Sequence, residues 1–243
     1  MIDSLSIILP FYNEEQRLRK TLKEIIKFSK KNKIKFKEFI FVDDGSNDKS
    51  HDIVKNFINA KKLRYSKLRL IRSNKNLGKG GAIKRGIKAS KGKWVLTSDI
   101  DFSVSLFEIE RWEKKKYLQN KFSVYFGSRS HNRSIVKSEF YRKAMGYFLS
   151  LMNLFFLQIN IKDTQCGFKL YKNSIAKKIF SKIRFLGYEH DIEVVLLLAK
   201  KNIKILELPV TWKHVPLSKV NVFTDSIKIF LYFFLIKIKY RNY

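Results

Sequence analysis

The segment FIFVDDGSND, from Phe39 to Asp48, contains the pattern that decides the fold. It begins with an apolar run typical of a buried strand, and the acidic turn that follows supplies N-cap residues for a helix. The same alternation occurs on both sides of it, with strands predicted at 5–9, 68–71 and 94–97 and helices at 14–31, 49–59 and 77–90. Strands and helices that alternate at this spacing predict a layered α/β fold with a largely parallel sheet.

The second half of the chain is less regular. We predict strands at 122–126 and 203–210 and helices at 140–157 and 222–240. In the first half, we expect Pro10 to end the first strand. We expect residues 1–215 to form one domain and residues 216–243 to form a C-terminal amphipathic helix.

Composition limits the classes of function. The chain has 243 residues, 45% of them hydrophobic, which excludes a disordered basic tail. Its single cysteine, Cys166, excludes an internal disulfide framework and fits a reducing compartment. Lys and Arg number 51 against 21 Asp and Glu, a net charge of +30. Such a charge predicts an anionic partner, which can be nucleic acid, an anionic membrane surface or a phosphorylated small molecule.

Acidic side chains follow three of the predicted strands. Glu14 follows the first strand, Asp43 and Asp44 the second, and Asp99 and Asp101 the fourth. Because ligands of open α/β sheets bind beyond the carboxyl ends of the strands, we expect these groups to meet at one edge. Two carboxylates one residue apart repel each other and favour a divalent cation, Mg²⁺ or Mn²⁺. Helix capping is the alternative role for Asp43 and Asp44.

Several strings resemble the family-2 glycosyltransferases of GT-A fold. They are LPFYNE at 9–14, FVDDGS at 41–46, NLGKGGA at 76–82, DID at 99–101 and GSR at 127–129. The longer string DTQCGFK at 163–169 is similar to the dolichyl-phosphate β-glucosyltransferases and their prokaryotic polyprenyl-phosphate relatives, as are GYEHDIE at 187–193 and LPVTW at 208–212. The resemblance implies a GT-A fold, a Rossmann-like three-layer sandwich, and inverting transfer of glucose from UDP-glucose to a polyprenyl phosphate.

The resemblance also implies a donor site. It assigns nucleotide-sugar contacts to Pro10, Tyr12, Glu14, Asp43, Asp44, Lys79, Asp99 and Ile100. Asp99 and Asp101 match the motif that holds the metal and the diphosphate. Lys79 lies in a glycine-rich helix start, where a cation and a helix N-terminus would meet a diphosphate. For the glycines around it, close packing of the helix on the sheet is the alternative.

The implied catalytic set is Asp101, Asp191 and Arg129. Arg129 and Arg142 are the candidates for the acceptor phosphate, because guanidinium binds phosphate oxygens bidentately. For Arg142, a surface position at a helix start is an equal alternative. Asp191 stands where relatives with hydroxyl acceptors place a general base. We expect it here to orient the acceptor or a sugar hydroxyl, because a phosphate acceptor is already an anion.

We predict peripheral contact with a membrane. Polar residues at 13–15 interrupt the first apolar run, and no apolar stretch approaches the ~20 residues of a spanning helix, so neither a signal peptide nor a transmembrane helix is expected. Apolar residues recur along one face of the terminal helix, at Ile227, Phe230, Leu231, Phe234, Leu235 and Ile238, with lysines beside them. This pattern suits an interfacial helix on an anionic lipid surface at the cytoplasmic face, and covering the sheet is the alternative.

Two other functions compete with the leading one. The same fold could use GDP-mannose as donor or a saccharide hydroxyl as acceptor. A basic, non-catalytic nucleic-acid-binding protein would also explain the charge of +30. The acidic edge argues against that class, because a groove for a phosphate backbone would not be lined with carboxylates, so we expect no nucleic-acid partner.

Overall fold

The computed structural model describes residues 2–31, 34, 36–60, 66–119, 121–137, 151–152, 154–155, 159–215, 231–236 and 238–240. The strands are β1 (Ser4–Phe11), β2 (Phe36–Asp43), β3 (Lys67–Arg72), β4 (Trp94–Thr97), β5 (Val124–Ser128), β6 (Ile135–Lys137), β7 (Lys169–Lys172), β8 (Ile205–Pro209) and β9 (Thr211–Lys213). The helices are α1 (Glu15–Lys31), α2 (Ser50–Asn59), α3 (Lys79–Ala89), α4 (Glu108–Lys114), α5 (Asn173–Phe180) and α6 (His190–Ala199). Residues 231–236, 238 and 239 are also helical, and together with the turn residue Tyr240, whose amide donates to the carbonyl oxygen of Ile236, they are called the terminal helix below.

A seven-stranded sheet in the order β3-β2-β1-β4-β7-β5-β8 forms the centre of the molecule. β1 pairs in parallel with β2 and β4, β2 with β3, and β5 with β8. Only β7 is reversed within it, because it runs antiparallel to both β4 and β5. β6 and β9 form a separate parallel pair. The predicted α/β class with a mostly parallel sheet is therefore confirmed.

Helices cover both faces of this sheet. Along β1, Leu9 faces a core that also contains residues of α1, α2 and α4, whereas Ile8 faces a second core. The second core contains residues of α3, α5, α6 and the terminal helix. Successive residues of a strand point to opposite faces, so β1 and β2, which are buried on both faces, belong to the middle layer of a three-layer sandwich.

The structure corrects the expected end of the first strand. β1 continues through Pro10 to Phe11, and Pro10 is in register with Val42 of β2. On the other side of β1, the pairing with β4 ends at Ile8. Because Pro10 lies beyond this point, its missing N–H does not remove a hydrogen bond between β1 and β4.

Several elements were not predicted, and α6 shows why. All residues from His190 to Leu198 are buried, so this helix has no polar face and no amphipathic period.

The predicted helix at 140–157 falls mostly outside the described residues, and within it residues 151, 152, 154 and 155 are helical. Arg142 and residues 222–230 also lie outside the described residues. Among the residues that the structure describes, no helix has the length and apolarity needed to cross a membrane.

Helix α3 lies close against the sheet at Gly86. A Cβ atom at that position would be 2.4 Å from Cγ2 of Ile8 and 3.0 Å from Cγ2 of Val42. Only a residue without a side chain fits there while β1, β2 and α3 keep their positions. This contact sets the distance between α3 and the sheet. It therefore also positions the loop that precedes α3 at the end of the sheet.

We expect Gly86→Ala to lower the free energy of unfolding by about 1–3 kcal/mol, because the added methyl group overpacks the contact with Ile8. The sign of the change in unfolding free energy distinguishes the two cases, because replacing glycine by alanine in an unconstrained helix would stabilise the protein by roughly 1 kcal/mol. Urea unfolding followed by circular dichroism measures the change. Lys88→Ala, on the exposed side of α3, is the matched control. Equal or higher stability of Gly86→Ala would contradict the close packing.

Candidate active site

A cavity of about 380 Å³ opens beyond the carboxyl ends of β1, β2 and β4. Its lining brings together most of the predicted site residues, namely Pro10, Tyr12, Glu14, Asp44, Lys79, Asp99, Ile100, Asp101, Arg129 and Asp191. The residues Arg17, Gln165, Tyr188 and Trp212 also line it and were not predicted. The topology explains the convergence, since the strand ends of a parallel sheet meet at one edge.

Asp43 is not part of this lining. Its side chain is fully buried, with Oδ1 accepting a hydrogen bond from the Ser46 amide at 2.8 Å and Oδ2 lying 2.9 Å from Nδ1 of His51. These contacts fix the turn between β2 and α2. The structure thus gives Asp43 a local role in holding the turn that follows β2.

Asp44 lines the cavity and ties two loops together. Its carboxylate accepts hydrogen bonds from the amides of Leu77 at 3.0 Å and Gly78 at 2.8 Å. Burial raises the pKa of Asp44 above its usual value despite these bonds. Gly78 has a φ of +93°, a backbone conformation that favours glycine, and it stands directly before α3.

Each aspartate of the DID string contacts a cationic side chain. Oδ1 of Asp99 lies 2.6 Å from Nζ of Lys79, and Oδ2 of Asp101 lies 3.2 Å from Nη1 of Arg17. Glu14 holds the same guanidinium of Arg17 through two hydrogen bonds. Arg17 was missed, although its position three residues after Glu14 puts both side chains on one face of a helix.

Asp101 is further fixed by its own turn. Its Oδ1 accepts hydrogen bonds from the amide and the hydroxyl of Ser103, at 2.9 and 2.8 Å. Asp99 is packed against Gly167 of the DTQCGFK string, where a Cβ atom would be 2.4 Å from Oδ2 of Asp99. Because Gly167 has no side chain, it leaves room for the Asp99 carboxylate. The residue that requires a glycine here is therefore 68 positions away in the sequence.

The glycines beside Lys79 serve close packing. The Gly80 amide donates to the carbonyl oxygen of Gly187 at 3.3 Å, and the Gly81 amide donates to that of Leu186 at 3.0 Å. A Cβ atom on Gly80 would be 2.6 Å from Cβ of His190. The first amides of α3 are thus bound by the loop before α6, so Gly80 and Gly81 pack against this loop and the start of α6, whereas the predicted alternative was packing on the sheet.

Lys79 stays charged in the cavity. Burial by itself would lower its pKa, but the carboxylates of Asp99 and Asp191 outweigh burial and raise the pKa above its usual value. Its ammonium group also lies 5.9 Å from the ring centre of Tyr188. The side chain therefore offers a permanent positive charge beside the two aspartates.

Asp191 is a buried carboxylate with two partners. It accepts a hydrogen bond from Nζ of Lys169, and its Oδ1 lies 3.2 Å from Nε2 of His190. Lys169 is itself buried and donates to the carbonyl oxygen of Thr164 at 2.7 Å. Although burial by itself raises the pKa of Asp191, His190 and Lys169 outweigh it and hold the pKa below its usual value. Lys169 was not predicted as part of the site.

Arg129 is held by the DTQCGFK string. Its Nε and Nη2 donate to the two carboxylate oxygens of Asp163, each at 2.8 Å, and its amide donates to Oδ2 at the same distance. This fork-to-fork pairing fixes the plane of the guanidinium. The GSR and DTQCGFK strings therefore act together, although Arg129 and Asp163 are 34 positions apart in the sequence.

The donor set at Asp99 and Asp101 fits a hard divalent cation that a substrate helps to hold. In the part of the chain that the structure describes, no three His, Cys, Asp or Glu side chains are grouped closely enough to hold a metal ion. Mg²⁺ is commonly bound by one or two carboxylates together with substrate phosphates, so two aspartates at a cavity are a sufficient protein contribution. Both aspartates line the cavity that would receive such a substrate.

The terminal helix has two apolar faces. Phe233, Ile236 and Tyr240 are buried in the second core, which also contains residues of α3, α5 and α6. In contrast, Leu231 is 55% and Ile238 71% exposed. Phe234 and Leu235 are exposed as well. The residues at 231, 234, 235 and 238 thus form the exposed stripe of the predicted interfacial face. The alternative role, covering the sheet, belongs to the opposite face of the same helix.

Comparisons with known proteins give a consistent result. The model of glycosyl transferase family 2 matches residues 6–180. The dolichyl-phosphate β-glucosyltransferase of Dictyostelium discoideum is 37% identical over 234 residues, which cover 93% of this chain and 71% of that protein. The enzyme of the same name from Homo sapiens is 32% identical over 246 residues, covering 97% of this chain and 75% of that protein.

Solved structures show the same fold. The glucosyl-3-phosphoglycerate synthase of Mycobacterium tuberculosis, in a complex with UDP, superimposes with a TM-score of 0.64 at 15% identity, over 96% of this chain and 80% of that one. A further structure of that protein contains Mn²⁺, UDP-glucose and glycerol 3-phosphate. A mannosyltransferase of Pyrobaculum calidifontis, with GDP-mannose and Mn²⁺, has a TM-score of 0.62 at 14% identity, over 97% and 64% of the two chains. The predicted GT-A fold is confirmed by this likeness.

Proposed function

The chain belongs to glycosyl transferase family 2, and we propose that it transfers glucose from UDP-glucose to a polyprenyl phosphate of the dolichyl type. In this reaction a phosphate oxygen of the acceptor forms a bond to the anomeric carbon while the bond from that carbon to the UDP oxygen breaks, and the configuration inverts. The relatives named above, with at least 70% of their length covered, support this donor and acceptor.

One observation carries the proposal. The two aspartates of the DID string line a single cavity together with Lys79 and Arg129. Two carboxylates suit a divalent cation, and two fixed cationic groups suit phosphate oxygens. A site with both sets of charges matches a nucleotide diphosphate that binds with a metal ion. A groove for a nucleic-acid backbone would have no use for the carboxylates.

The donor would lie along the strand ends. Tyr12 offers an aromatic surface to the base, and Asp44, which the 77–78 amides hold in place, offers a carboxylate oxygen to it. Lys79 would meet the diphosphate, because its ammonium is charged and lies beside Asp99. Mg²⁺ or Mn²⁺ bound by Asp99 and Asp101 would supply further positive charge for the departing diphosphate.

Arg129 and Asp191 would position the acceptor end of the site. The Asp163 carboxylate fixes the guanidinium of Arg129, so this group can meet phosphate oxygens without first losing side-chain freedom. Asp191 is a weak proton acceptor because its pKa is held low. A phosphate acceptor needs no deprotonation near neutral pH, so Asp191 would orient hydroxyl groups as a hydrogen-bond acceptor.

The exposed stripe of the terminal helix would bring the enzyme to its lipid. Residues 231, 234, 235 and 238 present apolar side chains to the outside, next to lysines in a chain of net charge +30. Apolar residues flanked by lysines favour an anionic lipid surface, because the side chains enter the headgroup region while the ammonium groups meet phosphates. We infer peripheral contact through this stripe.

We expect turnover with UDP-glucose, Mn²⁺ or Mg²⁺ and a polyprenyl phosphate, and at least about tenfold less with GDP-mannose, since a donor site built for one nucleotide leaves polar groups unpaired with another. A panel of labelled donors, with thin-layer separation of the lipid product, measures this. Transfer to a saccharide hydroxyl, or from GDP-mannose at the higher rate, would contradict the assigned substrates. EDTA should abolish the signal.

We expect Asp101→Asn to lower kcat by about 100-fold or more. Loss of even an indirect partner of a metal site costs roughly 10- to 100-fold, and Asp101 would be a direct ligand in the proposed site. The same variant should weaken binding of Mn²⁺ in the presence of UDP, measured by calorimetry. Asp52→Asn, at an exposed position of α2, is the matched control for the change of charge. Unchanged turnover in Asp101→Asn would overturn the metal assignment.

We expect the double substitution of Leu235 and Ile238 by serine to reduce co-sedimentation with anionic vesicles by at least about tenfold. Each apolar side chain that enters the lipid contributes roughly 1.5–3 kcal/mol, and both are exposed. Ile135→Ser removes an exposed isoleucine from β6 and is the control. Equal sedimentation of the double variant and the wild type would exclude this stripe as the membrane contact.

A further inference from the structure

The loop at 184–188, which joins α5 to α6, forms part of the cavity wall. Gly187 and Tyr188 line the cavity. The carbonyl oxygens of Leu186 and Gly187 accept the hydrogen bonds from the first amides of α3 described above. A displacement of this loop would therefore change both the wall of the cavity and the helix start that carries Lys79.

Glu193 fixes the beginning of the loop. This residue is fully buried in α6, two positions after Asp191. Its carboxylate accepts hydrogen bonds from the amides of Arg184 at 2.9 Å and Phe185 at 2.9 Å. The position of the loop thus depends on how the Glu193 side chain is held.

The terminal helix holds that side chain from the other side. The hydroxyl group of Tyr240 donates a hydrogen bond to Oε1 of Glu193, and Tyr240 is only 3% exposed. Nζ of Lys200, at the end of α6, donates to the backbone carbonyl oxygen of Tyr240 at 2.9 Å. A side chain and a backbone group of Tyr240 are therefore both bonded to the region of α6.

Ring contacts connect the terminal helix directly to the loop. The rings of Tyr232 and Phe185 are 5.5 Å apart at a steep angle, and Nζ of Lys239 lies 4.8 Å from the Phe185 ring centre. The guanidinium of Arg184 lies 5.9 Å from the ring centre of Tyr240. Three residues of the terminal segment thus contact the two loop residues that Glu193 holds.

We propose that Tyr240 is a positioning residue of the donor site, which acts through Glu193 on the 184–188 loop. The inference rests on the proposed function for the identity of the donor. Without the Tyr240 hydroxyl, one hydrogen bond fewer fixes the rotamer of the buried Glu193 carboxylate, and a shift of this carboxylate would displace the two loop amides that it binds. The inner face of the terminal helix then shapes the cavity, while its outer face is the proposed membrane contact.

The test compares Tyr240→Phe with the wild type, using the full chain in buffer without vesicles. The variant keeps the ring and its contact with Arg184 but lacks the hydroxyl group. We expect the Kd for UDP with Mn²⁺, measured by calorimetry, to rise by about five- to tenfold, less than the full effect of a hydrogen bond to a charged group, because Tyr240 acts on the site through Glu193. In steady-state assays, KM for UDP-glucose should rise, with KM for the polyprenyl phosphate unchanged.

Tyr125→Phe is the matched control, because it also removes a buried hydroxyl, one that donates to the backbone of Gln119 away from the cavity. It should lower the melting temperature without changing the Kd for UDP. Glu193→Gln should weaken UDP binding, and adding Tyr240→Phe to it should have little further effect, since both act through one contact. Leu235→Ser, on the outer face, should leave UDP binding unchanged.

Two results overturn the inference. One is a Kd for UDP in Tyr240→Phe within about twofold of the wild-type value, and the other is an equal loss of affinity in Tyr125→Phe, which would indicate general destabilisation. A wild-type protein that does not bind UDP at all would instead refute the proposed function. The two failures are therefore distinguishable in one set of titrations.

Discussion

Two carboxylates one residue apart at the end of β4 impose the main constraint on this protein. Asp99 and Asp101 repel each other, so each must be neutralised by a group that the fold delivers to the same place. Lys79 reaches Asp99 from the start of α3, and Arg17 reaches Asp101 from α1. Because these cations come from both helical layers, the site depends on the whole sandwich and on no single motif.

The charged side chains around the site are also held by ion pairs. Asp163 holds Arg129, Lys169 holds Asp191, and Glu14 holds Arg17. Each pair is at least partly buried, and a buried charge without its partner is strongly destabilising. The groups that would contact substrate are therefore fixed before a substrate binds, which reduces the loss of side-chain freedom on binding.

Local signals were sufficient for the first half of the fold and not for the rest. The β2 strand and the Asp43–Asp44 turn are visible in the sequence because an apolar run and its acidic turn are adjacent. Gly167 could be identified as part of a family string, but its reason, the close approach of Asp99, lies 68 residues away. Lys169 shows the same limit, since its partner Asp191 is brought to it only by the reversed strand β7 and by α6. Pairings of this kind depend on topology, which periodicity does not encode.

The terminal helix shows what periodicity leaves undecided in a helix that is apolar almost all round. The sequence favoured a membrane face and kept sheet coverage as the alternative, and the structure shows one buried face that covers the sheet and one exposed apolar face, which we propose as the membrane contact. Phe233 and Ile236 belong to the core, while Leu235 and Ile238 point outward. Deleting this helix would therefore remove core residues together with the proposed lipid contact and would confuse the two roles. Substitutions on one face at a time separate them, because the inward residues contact the core and the loop beside the cavity, whereas the outward residues are exposed.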